Sequence, residues 1–257
     1  MTVTTARPFV VVTGASSGIG EQFARRYARE GFDLLLVARS GAALTRLAEE
    51  LTGEHGTTVE VHVADLADPA DVATLSARLA SGLPRLDHLV NCAGVAPEGD
   101  LARTDETTIR HLVEVNVVAL TLLTRAAVVR MRDAGGGTIV NVASGAAYQP
   151  MPHLAAYGAS KSYVLMFTEA VSEENRAHGV RILSVAPGDT ETPMNPGAGR
   201  SKRKPAQVVD TAFRALAGSA PSVVDGRANS ITATVSTRLL PRRARLRVAE
   251  RMMRAKA

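Results

Sequence analysis

The chain has 257 residues, 46% of them hydrophobic and 21% charged, with one cysteine, no tryptophan and a net charge of +5. That length suits one large domain or two small ones, and the composition excludes a disordered chain and a disulfide framework. The charge is concentrated: residues 238–257 carry eight Lys/Arg against Glu250, leaving 22 basic and 24 acidic residues elsewhere, which argues against a nucleic-acid-binding surface.

Phe9–Thr13 opens a series of short, β-branched apolar runs, continued by Asp33–Ala38, Thr58–Val63, His88–Asn91, Thr138–Ala143 and Arg181–Ala186. Most hold apolar residues consecutively, the pattern of strands covered on both faces of a parallel sheet. Helical periodicity fills the gaps at Ile19–Glu30, Ala42–His55, Ala70–Leu79, Thr107–Arg132 and Ala155–Ala177. Six strands with helical crossovers predict an α/β fold, a doubly wound, Rossmann-like parallel sheet in a single domain. After Pro187-Gly188 the rhythm breaks into a segment to residue 205 rich in Gly, Pro and Lys/Arg. A helix at Ala206–Ala217, a strand at Ser222–Val224 and two terminal helical segments divided at Pro241 complete the chain. No run approaches the roughly 20 apolar residues that span a bilayer, and Phe9–Val12 is too short for a signal-peptide core. The six histidines are scattered without metal-ligand spacing, so no metal site is expected.

Thr13-Gly14-Ala15-Ser16-Ser17-Gly18-Ile19-Gly20 joins the first strand to the first helix. Glycines at 14, 18 and 20 permit a tight turn and close approach to a pyrophosphate seated at the helix N-terminus. The bland reading is a structural turn, and the strand-to-helix placement favours the dinucleotide site. The second strand ends in Val37-Ala38-Arg39-Ser40 with no acid for ribose hydroxyls. Arg39 and Ser40 offer a cation and a hydroxyl to a 2′-phosphate, which favours NADP(H); against that stands a solvated arginine at a strand end.

Tyr157-Gly158-Ala159-Ser160-Lys161 puts Tyr157 and Lys161 on one helical face, where an ammonium favours the phenolate. Ser144 ends the preceding strand, on the edge of a parallel sheet where ligands bind, or is simply a polar strand terminus. Asn116 sits in the apolar Val115-Asn116-Val117, as a functional or a structural amide.

These motifs, with Asn91-Cys92-Ala93-Gly94 and Pro187-Gly188, resemble the short-chain dehydrogenase/reductase family from about residue 9 to residue 194. The resemblance implies that Tyr157 is the general acid in carbonyl reduction and the base in reverse. It implies that Lys161 lowers the phenol pKa and holds the nicotinamide ribose, that Ser144 polarises the carbonyl, and that Asn116 holds a relay water. It further implies cofactor contacts from Asp65 and Leu66, from Asn91, Ala93 and Gly94, and from Pro187, Gly188, Thr190 and Thr192. Cys92 replaces the second asparagine of the family's Asn-Asn-Ala-Gly loop, which removes a structural hydrogen bond; the thiol is read as a small packing residue.

By the same analogy Val95, Ala146, Tyr148, Met151, Leu154 and Met194 line a largely apolar substrate pocket, with His153 and Asp189 as polar contacts. Residues 189–205 form a substrate lid or a solvated loop. The expected function is an NADPH-dependent ketone or aldehyde reductase; the alternatives are an NADP-linked alcohol dehydrogenase and a non-catalytic nucleotide sensor. The helices Thr107–Arg132 and Ala155–Ala177 are apolar over more than one stripe, and in the resembling family they build a homodimer or homotetramer. A single cysteine suits a reducing, cytoplasmic setting. The basic tail, 238–257, is expected to pack on the acidic body, with an anionic membrane surface or a solvated cap as alternatives.

Overall fold

The computed structural model describes residues 7–196, 202–231 and 241–254. Strands β1 (Phe9–Thr13), β2 (Asp33–Ala38) and β3 (Val59–Val63) form one half of a single sheet, growing outward from β1. Strands β4 (His88–Asn91), β5 (Gly137–Val142), β6 (Val180–Ala186) and β7 (Ser222–Val224) extend the same sheet outward from the other side of β1, pointing in the same direction. All pairings are parallel, in the order β3-β2-β1-β4-β5-β6-β7. The order reverses between β1 and β4, so a crevice opens there at the carboxyl ends of the strands.

Helices α1 (Gly18–Arg29), α2 (Gly41–His55) and α7 (Pro205–Leu216) lie against one core cluster. Into it point Val10, Val12, Leu34, Leu36 and Val140, meeting Phe23, Tyr27, Leu44, Leu51 and Val208. Helices α3 (Pro69–Ala77) and α5 (Leu120–Asp133) cover the alternate residues Val11, Leu35, Leu89, Ile139 and Ile182. Neighbouring side chains on a strand point to opposite faces, so consecutive apolar residues feed both cores. Each fully buried aliphatic side chain contributes roughly 1.5–3 kcal/mol. Strand β3 departs from the expectation of burial on both faces. It is an edge strand whose residues are half-buried, and Val63 is exposed.

The expected unbroken helix Thr107–Arg132 is two α-helices, α4 (Glu106–Val113) and α5, joined by π-helical turns at Glu114–Ala119. A π-helical insertion widens the helix and turns the residues beyond it. By length and composition Glu106–Asp133 would suffice to cross a membrane, which corrects the reading that no stretch would. Half of its apolar window is buried in the fold, where Leu112, Val115, Leu123 and Met131 serve the core.

Helix α6 (Ala155–Asn175) carries the Tyr-x-x-x-Lys pair, and α8 (Arg242–Arg254) closes the described chain. Ala249 of α8 is buried, and Glu250 comes within 3.4 Å of His153 Nε2. The tail is expected to pack on the acidic body, and Ala249 does so. Its lone acid makes the contact to His153, while Arg243, Arg247 and Arg251 are exposed and enter no ion pair among the described residues. Residues 197–201 of the expected lid, and Arg238, Leu239, Leu240 and Lys256 of the tail, lie outside the described residues.

Candidate active site

A cavity of about 900 Å³ runs along the crevice. Its floor at one end is the β1–α1 turn. A Cβ on Gly14 (φ +68°) would fall 2.9 Å from the backbone of Ala93, and one on Gly20 would fall 2.2 Å from Gly14 O. The two loops and the helix therefore touch backbone to backbone, and side chains there would push them apart. Ser17 heads α1 without a side-chain cap, so the first helical N–H groups are left to a ligand or solvent. Ser16, Ser17, Gly18, Ile19 and Gly20 all line the cavity. Arg39 and Ser40 are exposed at the rim after β2, and Asp65 and Leu66 line the wall after β3. Asp65 uses Oδ1 to accept from Ala67 N at 3.0 Å.

The β4 loop is held from below. Thr13 Oγ1 accepts from Cys92 N at 3.1 Å and Ala93 N at 3.2 Å, so the loop stays anchored without the family's second asparagine. Burial pushes the Cys92 thiol up to about 12, which leaves it a poor nucleophile. Gly94 lets the loop pass close to two polar groups, because a Cβ there would meet Asn116 Oδ1 at 3.3 Å and Lys161 Nζ at 3.4 Å.

Ser144 and Tyr157 share a hydrogen bond in the middle of the cavity, and Ser144 Oγ also accepts from Ala146 N at 3.1 Å. The expected pull of Lys161 on the phenol needs correction. Lys161 Nζ stands 5.9 Å from the Tyr157 ring centre and donates to Val142 O at 2.9 Å. Burial dominates and raises the Tyr157 pKa above its ordinary value, with the Ser144 hydrogen bond opposing. The phenol is thus protonated at neutral pH. Burial lowers the Lys161 pKa to about 8, opposed by Cys92.

Three expected site residues stand outside the cavity lining. Asn91 ends β4 but turns into the core, where Nδ2 donates to Asn141 Oδ1 at 2.9 Å and Thr124 Oγ1 at 3.1 Å. Register explains this: Asn91 pairs with Asn141, and Asn141 with Ser184, so a polar row crosses the sheet beneath the site. Asn116 clasps Val95 through N–H and C=O at 2.9 Å each and donates to Ser160 Oγ at 3.0 Å. Its side chain braces the Val95 loop and keeps one lone pair on Oδ1. His153 (φ +62°) points to Glu250 on α8, and its carbonyl accepts from Gly99 N at 2.9 Å.

The substrate end gathers Val95, Ala146, Tyr148, Met151, Leu154 and Met194 as expected, along with Pro187, Gly188, Asp189, Thr190 and Thr192. Asp189 Oδ1 already accepts from Asn195 Nδ2 at 2.6 Å. Sequence reasoning missed Glu98, His111, Gln149 and Asn229, which give this end polar edges. His111 lies five residues before Asn116 across the π-helical turns, a spacing that no helical rule marks. Asn229 follows a stretch without any motif.

A sheet reversing at a glycine cradle, with Ser, Tyr and Lys over it, defines a dinucleotide-dependent oxidoreductase. Residues 8–203 match the family model of the short chain dehydrogenases, and the chain belongs to that family. It is 36% identical over 197 residues to a putative ketoacyl reductase of the granaticin polyketide synthase of Streptomyces violaceoruber, covering 74% of this chain and 71% of that one. A Sphingobium yanoikuyae short-chain dehydrogenase, solved with NADPH, superposes with a TM-score of 0.83 at 33% identity, over 90% of this chain and 93% of that one. The bulky-bulky ketone specific alcohol dehydrogenase of Comamonas testosteroni gives 0.81 at 30% identity, over 89% and 92%.

Proposed function

We propose that the chain is an NADPH-dependent reductase of a fairly hydrophobic ketone or aldehyde. The observation that carries this reading is the Ser144–Tyr157 pair beside Lys161, in one cavity with the glycine cradle and Arg39. The residues fit a dinucleotide. Gly14, Gly18 and Gly20 would take the pyrophosphate at the uncapped start of α1, and Asp65, Leu66, Ala93 and Gly94 would flank the adenosine. Arg39 and Ser40 would meet a 2′-phosphate, at the end of a strand that carries no acid there.

When bound, the nicotinamide supplies the hydride. The chain's own groups then handle the oxygen. Ser144 Oγ, held by Ala146 N–H beside Tyr157, would turn its proton to the carbonyl oxygen when substrate binds. Tyr157, kept neutral by burial, delivers a proton to the developing alkoxide. With a pKa of about 8, the ammonium of Lys161 is protonated at neutral pH and adds positive charge behind the phenol. Asn116 fixes the Val95 loop that walls the pocket.

The NADPH-bound relative supports the cofactor, and the names of the ketoacyl reductase and the ketone-specific dehydrogenase support a carbonyl substrate. The dehydrogenase relative also supports a second reading, NADP-linked alcohol oxidation, which uses the same residues. Retention of the proton-transfer set speaks against a mere nucleotide sensor. The lone, half-buried Cys92 suits a cytoplasmic setting. Initial rates with NADPH and NADH over a ketone and aldehyde panel, set against NADP⁺ with the matching alcohols, test the assignment. No turnover in either direction would overturn it.

A further inference from the structure

The Pro187-Gly188 turn leaves β6 where the cavity is closed by the Ser144–Gly145 segment, and Gly145 N donates to Pro187 O at 2.7 Å. From the opposite side the turn rests on Asn229. A Cβ on Gly188 would fall 2.1 Å from Asn229 Nδ2 and 2.6 Å from its Cγ, so the amide lies flat against the glycine. Asn229 cannot swing away freely, because Nδ2 donates to Asp225 O at 2.8 Å.

Asp225 is itself immobile. It is fully buried, and its carboxylate accepts from Arg203 Nε at 2.7 Å, Arg203 Nη2 at 2.8 Å and Thr211 Oγ1 at 2.6 Å. Its N–H donates to Ala186 O at 2.9 Å, which ties it to the strand that ends in the turn. Arg203 also grips the segment after the turn: its N–H donates to Asp189 O, and Glu191 N donates to Arg203 O, both at 2.9 Å. A bidentate guanidinium on a buried carboxylate is costly to break from either side. The end of β6, the Asp189–Glu191 strip and the end of β7 therefore meet at one rigid joint. Asn229, beyond the residues that match the family, projects from that joint into the cavity lining.

We propose that Asn229 is a positioning residue for the nicotinamide end of the site: supported by the Arg203–Asp225 pair, it sets the position of the Pro187-Gly188 turn. The proposal rests on the nicotinamide-cofactor reading given above. It asks nothing of the proton-transfer groups, so its effect belongs to cofactor binding.

Fluorescence titration of the purified full chain with NADPH measures it directly, alongside steady-state kinetics and thermal melts. Asn229→Ala leaves the ion pair intact, and is expected to raise the NADPH Kd and KM about fivefold or more, the scale of one lost hydrogen bond and its packing. Within that variant kcat stays within about twofold and the melting temperature of the free protein falls by no more than a few degrees. Gly188→Ala is expected to weaken binding more, through its collision with Asn229. The double variant, Gly188→Ala with Asn229→Ala, then binds NADPH more tightly than Gly188→Ala alone. A wild-type Kd in Asn229→Ala, or additive losses in the double variant, overturns the proposal while leaving the reductase assignment standing. Failure of the wild-type chain to bind either NADPH or NADH overturns both.

Discussion

Tyr157, Arg39 and Cys92 each reduce to one physical question. For Tyr157 it is whether the proton comes from the phenol. Tyr157→Phe removes only the hydroxyl, so reduction should fall about 10²–10⁴-fold while NADPH affinity stays near wild type. Near-normal turnover would mean that another group delivers the proton. For Arg39 it is charge at the rim. Arg39→Asp replaces an exposed cation, in no ion pair among the described residues, with a carboxylate, and the ratio of kcat/KM for NADPH over NADH should fall by tenfold or more, on the scale of a charge-assisted contact. An unchanged ratio would make Arg39 a bystander. For Cys92 it is alkaline stability. Its folded pKa, about 12, lies above the ordinary 9.0, so its contribution is present below pH 9 and is lost as the pH rises toward 12. Cys92→Ala should therefore lose less melting temperature than wild type between pH 9 and 11, and identical slopes would contradict the burial. Identities such as Ser144 and Tyr157 were legible because their chemistry is tied to position. Asn91 was not: nothing in Asn91-Cys92-Ala93-Gly94 shows that cross-strand register turns its amide toward Asn141 and Thr124.

At the scale of elements, strands and helix periods were readable because consecutive apolar residues and helical stripes follow from burial on two faces and on one. The boundaries shifted by a residue or two: Thr138–Ala143 became Gly137–Val142, and Arg181–Ala186 gained Val180. The π-helical turns at Glu114–Ala119 were illegible, since the same residues satisfy an α-helical period and the insertion is decided by tertiary contact with Val95 and Ser160. The tail was half legible. Pro241 and the arginine spacing predicted α8, but its contact, Glu250 against a left-handed His153, needed the folded loop before α6. Removing residues 241–257 takes away the buried Ala249 and the Glu250 contact to His153, four residues before Tyr157. That truncation should lower the melting temperature by a few degrees or raise the substrate KM, with anionic liposomes sedimenting little of the intact protein at physiological salt. Unaffected melting and kinetics, together with strong sedimentation lost on truncation, would assign the helix to a membrane surface instead.

For the whole molecule, the sheet order follows from the parallel crossovers, while assembly is written on the outside. Val113, Leu122, Val129, Tyr163 and Met166 are exposed along α4, α5 and α6. Their apolar area supports our proposal of a homodimer or homotetramer, with two-fold symmetry. Multi-angle light scattering at micromolar concentration should report a multiple of the 27.0 kDa chain, and a monomer would count against that face as an interface. The outward arginines of α8 carry a different consequence. Residues 1–237 are net negative, and on α8 the exposed Arg243, Arg247 and Arg251 place positive charge on the helix that contacts His153 through Glu250. A polyanion diffusing toward the crevice meets attraction at one end and weak repulsion elsewhere, and its capture rate should drop as added salt shortens the Debye length below about 10 Å. The helix would thus set how fast an anionic ligand arrives without touching it once it is bound.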